Sequence, residues 1–299
     1  MAMKLLLTGS DGFVGSILMR HRPCIPLADD GDNVDLRDAD RLRSAVARIA
    51  PDAVIHLAAQ SFVPASFARP RETHEINFFG TLNLLDALKA AGFKGRFLFV
   101  GSGDSYGLVA PDELPIEESH PLWPRSPYAV SKTAAEALCY QWSQSEPFEI
   151  MMTRSFNHIG PGQSERFVVS DFARQVVEIR KGLRPPLIRT GDIDVTRDFT
   201  DVRDVVEAYL LLLEQGRRGE VYNVCSGLEH SIRDVLMRLL RLAGSEAAVE
   251  QDPLRLRRVE QRRICGSPRK LERDTGWARR YSLDTSLTDI LNDWEAKLS

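Results

Sequence analysis

Short apolar runs alternate with amphipathic stretches along the first half of the chain. The runs are rich in leucine, isoleucine, valine and phenylalanine, and most are followed by residues whose apolar positions recur with helical periodicity. This alternation indicates strand–helix–strand units, and therefore a parallel sheet with helices on both faces. The predicted strands are 4–8, 53–57, 96–101 and 149–153, and the predicted helices are 12–22, 73–91 and 126–145.

The pattern changes after Phe156. Prolines and glycines punctuate the following residues, where helical stretches are separated by short strands and by an arginine-rich segment. We predict that this half forms a second, smaller lobe that closes over the first. Its predicted helices are 165–181, 202–215, 231–243 and 284–298, a strand is predicted at 221–224, and the arginine-rich loop spans 252–263.

Composition narrows the class of protein. The 299 residues carry 39 Lys+Arg and 42 Asp+Glu, a formal charge of −3 without blocks of like charge, so a nucleic-acid partner is not expected. The longest wholly apolar run, 209–213, is far shorter than the roughly 20 residues that cross a bilayer. Four cysteines form no CxxC pair, and the chain begins without a signal-like segment. We therefore expect a soluble, cytoplasmic protein with reduced thiols, no metal site and no membrane partner.

A glycine-rich turn follows the first predicted strand and opens the first predicted helix with the pattern GxxGxxG. Glycines in such a turn let the backbone approach a pyrophosphate, and the helix N-terminus offers N–H groups to it. The pattern predicts a dinucleotide site. The residues expected to line it are Gly9, Asp11, Gly12, Phe13, Val14 and Gly15 in the turn, Asp35 and Leu36 after the presumed second strand, and Leu57, Ala58 and Ala59 after the third.

Both acidic and basic residues occur where the choice between NAD(H) and NADP(H) is usually made. An acidic side chain beyond the second strand bonds the ribose 2′-hydroxyl of NAD(H), whereas a basic one accommodates the 2′-phosphate of NADP(H). This chain has three aspartates within 29–32 and two arginines within 20–22. The sequence therefore leaves both NAD(H) and NADP(H) open.

Three residues predict acid–base chemistry next to that cofactor. Ser102 follows the predicted strand 96–101, and Tyr128 and Lys132 lie four residues apart at the start of a predicted helix, where they share one face. We expect both to reach the nicotinamide ribose, Lys132 to lower the pKa of the Tyr128 phenol towards the working range, and Ser102 to hold the substrate oxygen.

With the segments RSFNHIGPGQ (154–163), RDFTDVRD (197–204), VYNVCSG (221–227) and DPLRLRRVEQRR (252–263), these motifs resemble the extended short-chain dehydrogenase/reductase family of NAD-dependent epimerases and dehydratases. The resemblance covers nearly the whole chain and is greatest to the reductases of GDP-4-keto-6-deoxy-D-mannose. It implies catalytic roles for Ser102, Tyr128 and Lys132, with Tyr128 and Lys132 also binding the cofactor. The residues implied to bind a nucleoside-diphosphate hexose, with GDP as the expected nucleotide, are Asp104, Asn157, Arg197, Arg257 and Glu260.

The positions after Ser102 bear on the type of reaction. Related 4,6-dehydratases carry an acidic pair or Ser-Glu there, because elimination needs both a base and a proton donor. Gly103 and Asp104 occupy these positions, which favours reduction of a 4-keto sugar, here to GDP-D-rhamnose. A 4-epimerase, a 4,6-dehydratase, a reductase that gives GDP-6-deoxy-D-talose and a non-catalytic dinucleotide sensor remain alternatives.

The resemblance also implies an overall organisation. The expected fold class is α/β, a Rossmann-type doubly wound parallel sheet with a smaller C-terminal α/β substrate-binding lobe. Residues 1–156, with returning segments near 190–225, would form the dinucleotide-binding domain, and 157–299 mainly the nucleotide-sugar lobe. A homodimer through helices 73–91 and 126–145 is implied as well, although their apolar residues would equally suit packing on the sheet.

Overall fold

The structure, a computed structural model, describes residues 3–29, 31–255 and 261–299. The elements of the first half are β1 (Leu5–Thr8), α1 (Phe13–His21), β2 (Ile25–Pro26), β3 (Ala28–Asp29), β4 (Asp32–Asn33), α2 (Ala39–Ile49), β5 (Ala53–His56), α3 (Val63–Ala68), α4 (Pro70–His74), a π-helical turn (Glu75–Phe79), α5 (Gly80–Ala90), β6 (Arg96–Ser102), 3₁₀ turns (Gly103–Tyr106 and Pro111–Glu113) and α6 (Pro127–Ser145).

The second half begins with the last long strand of the central sheet. Its elements are β7 (Glu149–Ser155), β8 (Asn157–Ile159), α7 (Val168–Arg180), β9 (Leu187–Thr190), β10 (Thr196–Asp201), α8 (Val202–Gln215), β11 (Val221–Val224), β12 (Glu229–Ser231), α9 (Ile232–Ala243), β13 (Ala248–Gln251), a 3₁₀ turn (Pro253–Arg255), α10 (Arg269–Thr275) and α11 (Leu283–Lys297).

Six parallel strands in the order β11-β7-β6-β5-β1-β2 form the central sheet. Alternate side chains of its strands point to opposite faces, and each face is covered by helices. On one face Phe97 and Phe99 of β6 pack in a cluster with residues of α2, α5 and α6. On the other face Leu98 packs in a cluster with residues of α1 and α8. The predicted parallel sheet with helices on both faces is therefore confirmed.

A second group of elements packs beyond the carboxyl ends of these strands. The small sheet β12-β10-β8 and helices α7, α9 and α11 enclose a core of their own, which includes Phe172, Phe199, Leu236 and Trp294. Strands β9 and β13 pair beside it. The cleft between the two groups is bordered by the ends of β1, β5, β6 and β7, so residues at these strand ends are placed to meet a ligand.

Several elements differ from the predicted ones. The predicted helix 73–91 is divided into α4, the π-helical turn and α5, and the predicted helices do not include α2, whose buried Leu42, Ala45 and Val46 lie among charged residues. The second strand of the sheet, β2, has only two residues, and the hairpin of β3 and β4 follows it. Asp35 and Leu36 therefore follow that hairpin, not the strand itself.

None of the helices in the described part of the chain is long and apolar enough to span a membrane. Within the same residues no cluster of three or more histidine, cysteine, aspartate or glutamate side chains has the arrangement of a metal site. The four cysteines are free thiols, and burial raises the pKa of each.

Candidate active site

The glycine turn between β1 and α1 is packed too closely for larger residues. Gly9 has φ +70°, and a Cβ there would lie 2.8 Å from the backbone nitrogen of Ala58. A Cβ on Gly15 would lie 2.1 Å from the carbonyl oxygen of Gly9. Gly12 precedes the first turn of α1, and no side chain caps this helix. The first backbone N–H groups of α1 are therefore available to an anion. This cradle fits a dinucleotide pyrophosphate.

The other residues predicted to line the cofactor lie around this turn. Leu57, Ala58 and Ala59 follow β5 and are partly buried, and the small Ala58 permits the contact with Gly9. Leu36 is buried, whereas Asp35 is exposed and forms an ion pair with Arg37 at 2.6 Å. The exposed Asp11 accepts a hydrogen bond from Asn33 at 3.4 Å, which joins the β3–β4 hairpin to the turn.

The acidic residues near the expected ribose site are paired. Asp29 forms an ion pair with Arg48 and a longer one, of 3.4 Å, with Arg41. Hydrogen bonding from Arg48 is the main cause that lowers the pKa of Asp29. Asp30 lies outside the described residues. The basic partners are thus Arg41 and Arg48 of α2 and not the arginines within 20–22, of which Arg22 forms an ion pair with Glu214 at 2.7 Å.

His56, at the end of β5, is buried between two threonines. Its Nδ1 lies 2.7 Å from Thr8 Oγ1 and its Nε2 lies 3.0 Å from Thr81 Oγ1. The Thr81 hydroxyl donates to the carbonyl of Asn77, so it accepts from His56 Nε2–H, and Nδ1 accepts from Thr8. Burial and the charge of Lys132 lower the pKa of His56 to about 3. His56 is therefore a neutral structural residue below the cofactor.

Ser102, Tyr128 and Lys132 meet at the end of β6. Ser102 is the last residue of this strand, and its Oγ accepts a hydrogen bond from the Asp104 backbone at 3.2 Å. Its side chain is close enough to the Tyr128 phenol to lower the pKa of that group. Ser126 caps α6 by accepting from the Ala129 N–H at 3.0 Å, which places Tyr128 in the first turn. Lys132 follows one turn later and is buried, with its Nζ 4.7 Å from the centroid of the Phe99 ring.

Burial controls the protonation of this pair. It raises the pKa of Tyr128 well above the usual value, the negative charge of Asp104 adds to the effect, and the hydrogen bond with Ser102 opposes it. Burial lowers the pKa of Lys132 to about 8, against the opposing influence of Cys139 and Glu136. The prediction that Lys132 lowers the pKa of Tyr128 is thus wrong for the protein without cofactor, because desolvation of the phenol is the larger effect.

The Lys132 ammonium provides a test of cofactor fit. The residue is largely buried, and across the described ranges its ammonium makes no hydrogen bond or ion pair. The ribose hydroxyls of a bound nicotinamide dinucleotide would supply acceptors for it. Together with the glycine cradle, this unfilled donor shows that the residues present fit the cofactor.

Asn77 links the loop that follows β5 to the catalytic helix, a role that no motif in the sequence predicts. Its Oδ1 accepts from the Gln60 N–H at 2.8 Å, and its Nδ2 donates to Gln60 O at 3.1 Å and to Ser131 Oγ at 2.9 Å. Ser131 in turn donates to the carbonyl of Tyr128 at 2.7 Å. In the sequence, only the presence of a polar asparagine within the apolar predicted helix 73–91 indicated that Asn77 has such a role.

A second buried network supports the other side of α6. Arg154 and Glu136 are both buried and form an ion pair at 2.7 Å. Arg154 also donates to the Tyr106 hydroxyl at 3.0 Å, which donates to Asn223 Oδ1 at 2.6 Å. Tyr106, four residues after Ser102, and Asn223 of VYNVCSG therefore belong to one structural network, which spacing along the sequence did not reveal.

The predicted substrate residues are only partly brought together. Asp104 is exposed beside Tyr128, and Asn157 is exposed on β8. Arg197 on the neighbouring β10 is largely buried and donates to the carbonyls of Thr196 at 2.6 Å and Gln261 at 2.8 Å. Arg257 and Glu260 lie outside the described residues.

Comparison with known proteins places these features in a family. The family model described as GDP-mannose 4,6 dehydratase matches residues 32–290. GDP-6-deoxy-D-mannose reductase of Pseudomonas aeruginosa is 48% identical over 303 residues, which cover 100% of this chain and 99% of that protein.

Two solved structures extend the comparison. RMD from Pseudomonas aeruginosa complexed with NADPH is 46% identical, with a TM-score of 0.93 over 99% of this chain and 100% of that chain. UDP-glucose 4-epimerase of Thermus thermophilus in complex with NAD is 31% identical, with a TM-score of 0.86 over 98% of this chain and 99% of that chain. The chain therefore belongs to the GDP-mannose 4,6 dehydratase family, within the extended short-chain dehydrogenases/reductases that its motifs resemble.

Proposed function

We propose that this chain catalyses the nicotinamide-dependent reduction of the 4-keto group of GDP-4-keto-6-deoxy-D-mannose, which gives GDP-D-rhamnose. The observation that carries the proposal is the juxtaposition of Ser102 and Tyr128, with Lys132 one turn away, at a strand end where the next residue is Gly103. The Pseudomonas aeruginosa relative is named GDP-6-deoxy-D-mannose reductase, and the solved structure of RMD from the same species is complexed with NADPH. NADPH is therefore the proposed cofactor, with NADH as the alternative.

Tyr128, Ser102 and Lys132 have different roles in the proposed reduction. The bound cofactor supplies the hydride to carbon 4 of the sugar. Tyr128, like any phenol, is protonated at neutral pH, and the raised pKa keeps it so. Its phenol donates a proton to the carbonyl oxygen as negative charge develops there. Ser102 holds the same oxygen by a hydrogen bond. Lys132, whose ammonium lies one helical turn from Tyr128, stabilises the phenolate that the proton transfer leaves behind.

The environment of Gly103 favours reduction over elimination. A 4,6-dehydratase needs a base at carbon 5 as well as a proton donor for the departing hydroxyl, and Gly103 supplies neither. A Cβ at this position would lie 3.2 Å from the Phe156 ring, so a longer side chain would require this ring to move. Asp104 is exposed and is the one carboxylate within two residues of Ser102 in the sequence.

The proposal also covers the organisation of the protein. Residues 1–156, with the returning segments near 190–225, would bind the dinucleotide, and residues 157–299 would mainly bind the nucleotide sugar. The side chains proposed to contact the sugar nucleotide are Asp104 of the first domain, Asn157, Arg197, Arg257 and Glu260. A homodimer through residues 73–91 and 126–145 is supported by three exposed apolar side chains on these segments, Phe79 (52%), Val130 (41%) and Tyr140 (53%).

The test is to mix purified protein with GDP-4-keto-6-deoxy-D-mannose and NADPH or NADH and to follow the absorbance of the reduced nicotinamide. We expect stoichiometric oxidation with a GDP-rhamnose product, and loss of turnover in Tyr128→Phe. A 4-epimerase would convert the sugar without net cofactor consumption, and a talose product would identify the sister reductase. Absence of oxidation with both cofactors would refute the proposed reaction.

A further inference from the structure

The segment 107–125 connects the turn that follows Ser102 to the start of α6, and we call it the connecting segment. It folds back on itself, because His120 near its end meets Glu113 of the 3₁₀ turn in its first half. His120 Nε2 lies 3.4 Å from Glu113 Oε2, within ion-pair distance although not aligned for a hydrogen bond. Since the segment ends shortly before Tyr128, its conformation contributes to the position of Tyr128 relative to Ser102.

The groups around His120 indicate its protonation state. Nδ1 lies 2.8 Å from the carbonyl oxygen of Pro121, and because a carbonyl only accepts, Nδ1 carries a proton. In a neutral imidazole the lone pair would then be on Nε2 and would face the carboxylate of Glu113, which is repulsive. The N–H of Ala110 and then the His120 side chain lower the pKa of Glu113, which keeps it ionised. Both ring nitrogens face acceptors, so the geometry is that of the imidazolium.

The imidazole also packs on the turn that follows Ser102. Its ring stands edge-on to that of Tyr106, with centroids 5.9 Å apart and planes inclined by 83°. Tyr106 is the last residue of the 3₁₀ turn that begins directly after Ser102. The carbonyl of Tyr106 accepts from the N–H of Trp123 at 3.3 Å. The connecting segment is therefore held to itself through His120 and to the turn of Ser102 through Tyr106.

Glu113 supplies the charge that faces this imidazole, whose side chain is only 11% exposed. Burial raises the pKa of Tyr106, so its phenol is uncharged at neutral pH. The charged groups of the neighbouring elements are exposed or have partners of their own, namely Asp112, Glu117, Glu118 (with the N–H of Asn223) and Arg154 (with Glu136, and 4.8 Å from the centroid of the Tyr106 ring). The charge state of His120 therefore depends mainly on its pairing with Glu113.

We propose that His120 is a positioning residue for the proposed reduction, whose imidazolium pairs with Glu113 and holds the connecting segment in the conformation that keeps Tyr128 beside Ser102. Histidine changes its charge between about pH 5 and 8, and the carboxylate loses its cationic partner when the proton leaves. Turnover should therefore be fastest where both charges are present and slower where the imidazole is neutral. The inference rests on the proposed function, because it concerns the same two hydroxyl groups.

The test compares kcat with saturating GDP-4-keto-6-deoxy-D-mannose and NADPH between about pH 6.0 and 7.5, below the pKa of about 8 of Lys132. We expect kcat of the native protein to fall about two- to fivefold over this range, the scale of a partly exposed ion pair. His120→Phe keeps a flat ring on Tyr106 without a charge, and Glu113→Gln removes the carboxylate. Both variants should show the low kcat of the native protein at the upper end of the range, at every pH tested.

His21→Phe and Glu117→Gln, at exposed positions, are the matched controls and should keep the native pH profile. The imidazole ¹⁵N spectrum of histidine-labelled protein gives a readout without turnover, and the signal that is missing from His120→Phe identifies His120. We expect an imidazolium at about pH 6 that loses its proton with the same midpoint as the fall in kcat.

A native pH profile in His120→Phe, or a neutral His120 at about pH 6, would overturn the proposal. Absence of turnover in the native protein would instead refute the proposed reaction, and the positioning role with it, even where the spectrum shows the imidazolium.

Discussion

The side-chain amide of Asn77 donates to Ser131 Oγ at 2.9 Å, and through this bond the π-helical turn at Glu75–Phe79 fixes the start of the catalytic helix. The same amide hydrogen bonds both backbone groups of Gln60: its Oδ1 accepts from the N–H, and its Nδ2 donates to the carbonyl. The loop that follows β5 and the helix that carries Tyr128 and Lys132 are therefore joined by one side chain. Displacement of Asn77 would move the cofactor-binding and acid–base residues relative to each other.

Replacement of Asn77 should affect both stability and turnover. Asn77→Ala leaves the N–H of Gln60 without its acceptor and Ser131 without its donor, so we expect the free energy of unfolding to fall by about 2–3 kcal/mol. We also expect kcat to fall roughly tenfold as α6 loses its anchor. Urea denaturation and steady-state kinetics measure the two effects. Asn83→Ala, which removes one bond of 2.8 Å to the carbonyl of Leu36, is the control and should cost less; equal losses would contradict the role given to Asn77.

Lys132 is expected to be required for reduction and yet to lower the free energy of unfolding of the cofactor-free protein. Its pKa of about 8 lies below the ordinary 10.5, so the folded state disfavours the ammonium, and the free energy of unfolding without cofactor should rise as pH increases from about 8 to 10.5. Lys132→Met should then stabilise the cofactor-free protein at pH 7 by about 1–3 kcal/mol while abolishing reduction.

Chemical denaturation across this pH range gives the measurement for Lys132. The exposed Lys94→Met is the control and should leave both the stability and its pH dependence unchanged. A Lys132→Met protein less stable than the native one would contradict the desolvation cost given to the ammonium.

The carboxylate of Asp104 contributes to the raised pKa of Tyr128. Its negative charge raises the pKa of the phenol, so Asp104→Asn should lower that pKa and move the alkaline limb of the phenol titration to lower pH. Ultraviolet difference titration of the phenolate measures the shift, and Tyr128→Phe identifies the signal. Asp112→Asn, in the exposed turn at Pro111–Glu113, should leave the titration in place. An unshifted titration in Asp104→Asn would mean that solvent screens the exposed carboxylate completely.

The buried pair of Arg154 and Glu136 should be strongly coupled. Arg154→Met leaves a buried carboxylate uncompensated and should cost about 3–5 kcal/mol, whereas the double variant Arg154→Met/Glu136→Gln should lose less than the two single losses together. A double-mutant cycle by urea denaturation gives the coupling. The exposed pair Arg233–Asp194, at 2.8 Å against 2.7 Å for the buried pair, is the matched control, and Arg233→Ala should change stability by less than about 1 kcal/mol. Additive losses at the buried pair would show that solvent reaches it.

The parts of the site that depend on local spacing were predictable. The glycine turn is set by three glycines within seven residues, and Tyr128 and Lys132 share a face because they are one helical turn apart. Their protonation was not predictable, because it depends on burial that the tertiary structure creates. The same applies to Asn77 and to Arg154 with Glu136, whose partners lie far away in sequence. Helix α2 was not predicted because its apolar face is narrow and four of its eleven residues are charged.

The two-residue strand β2 has a consequence for how molecules meet in solution. It is the edge of the central sheet, and one of its two residues is Pro26, which has no N–H to offer to an incoming strand. A neighbouring copy thus finds no continuous ladder at this edge. The short strand therefore confines any strand-by-strand extension of the sheet to its opposite edge, at the four-residue β11.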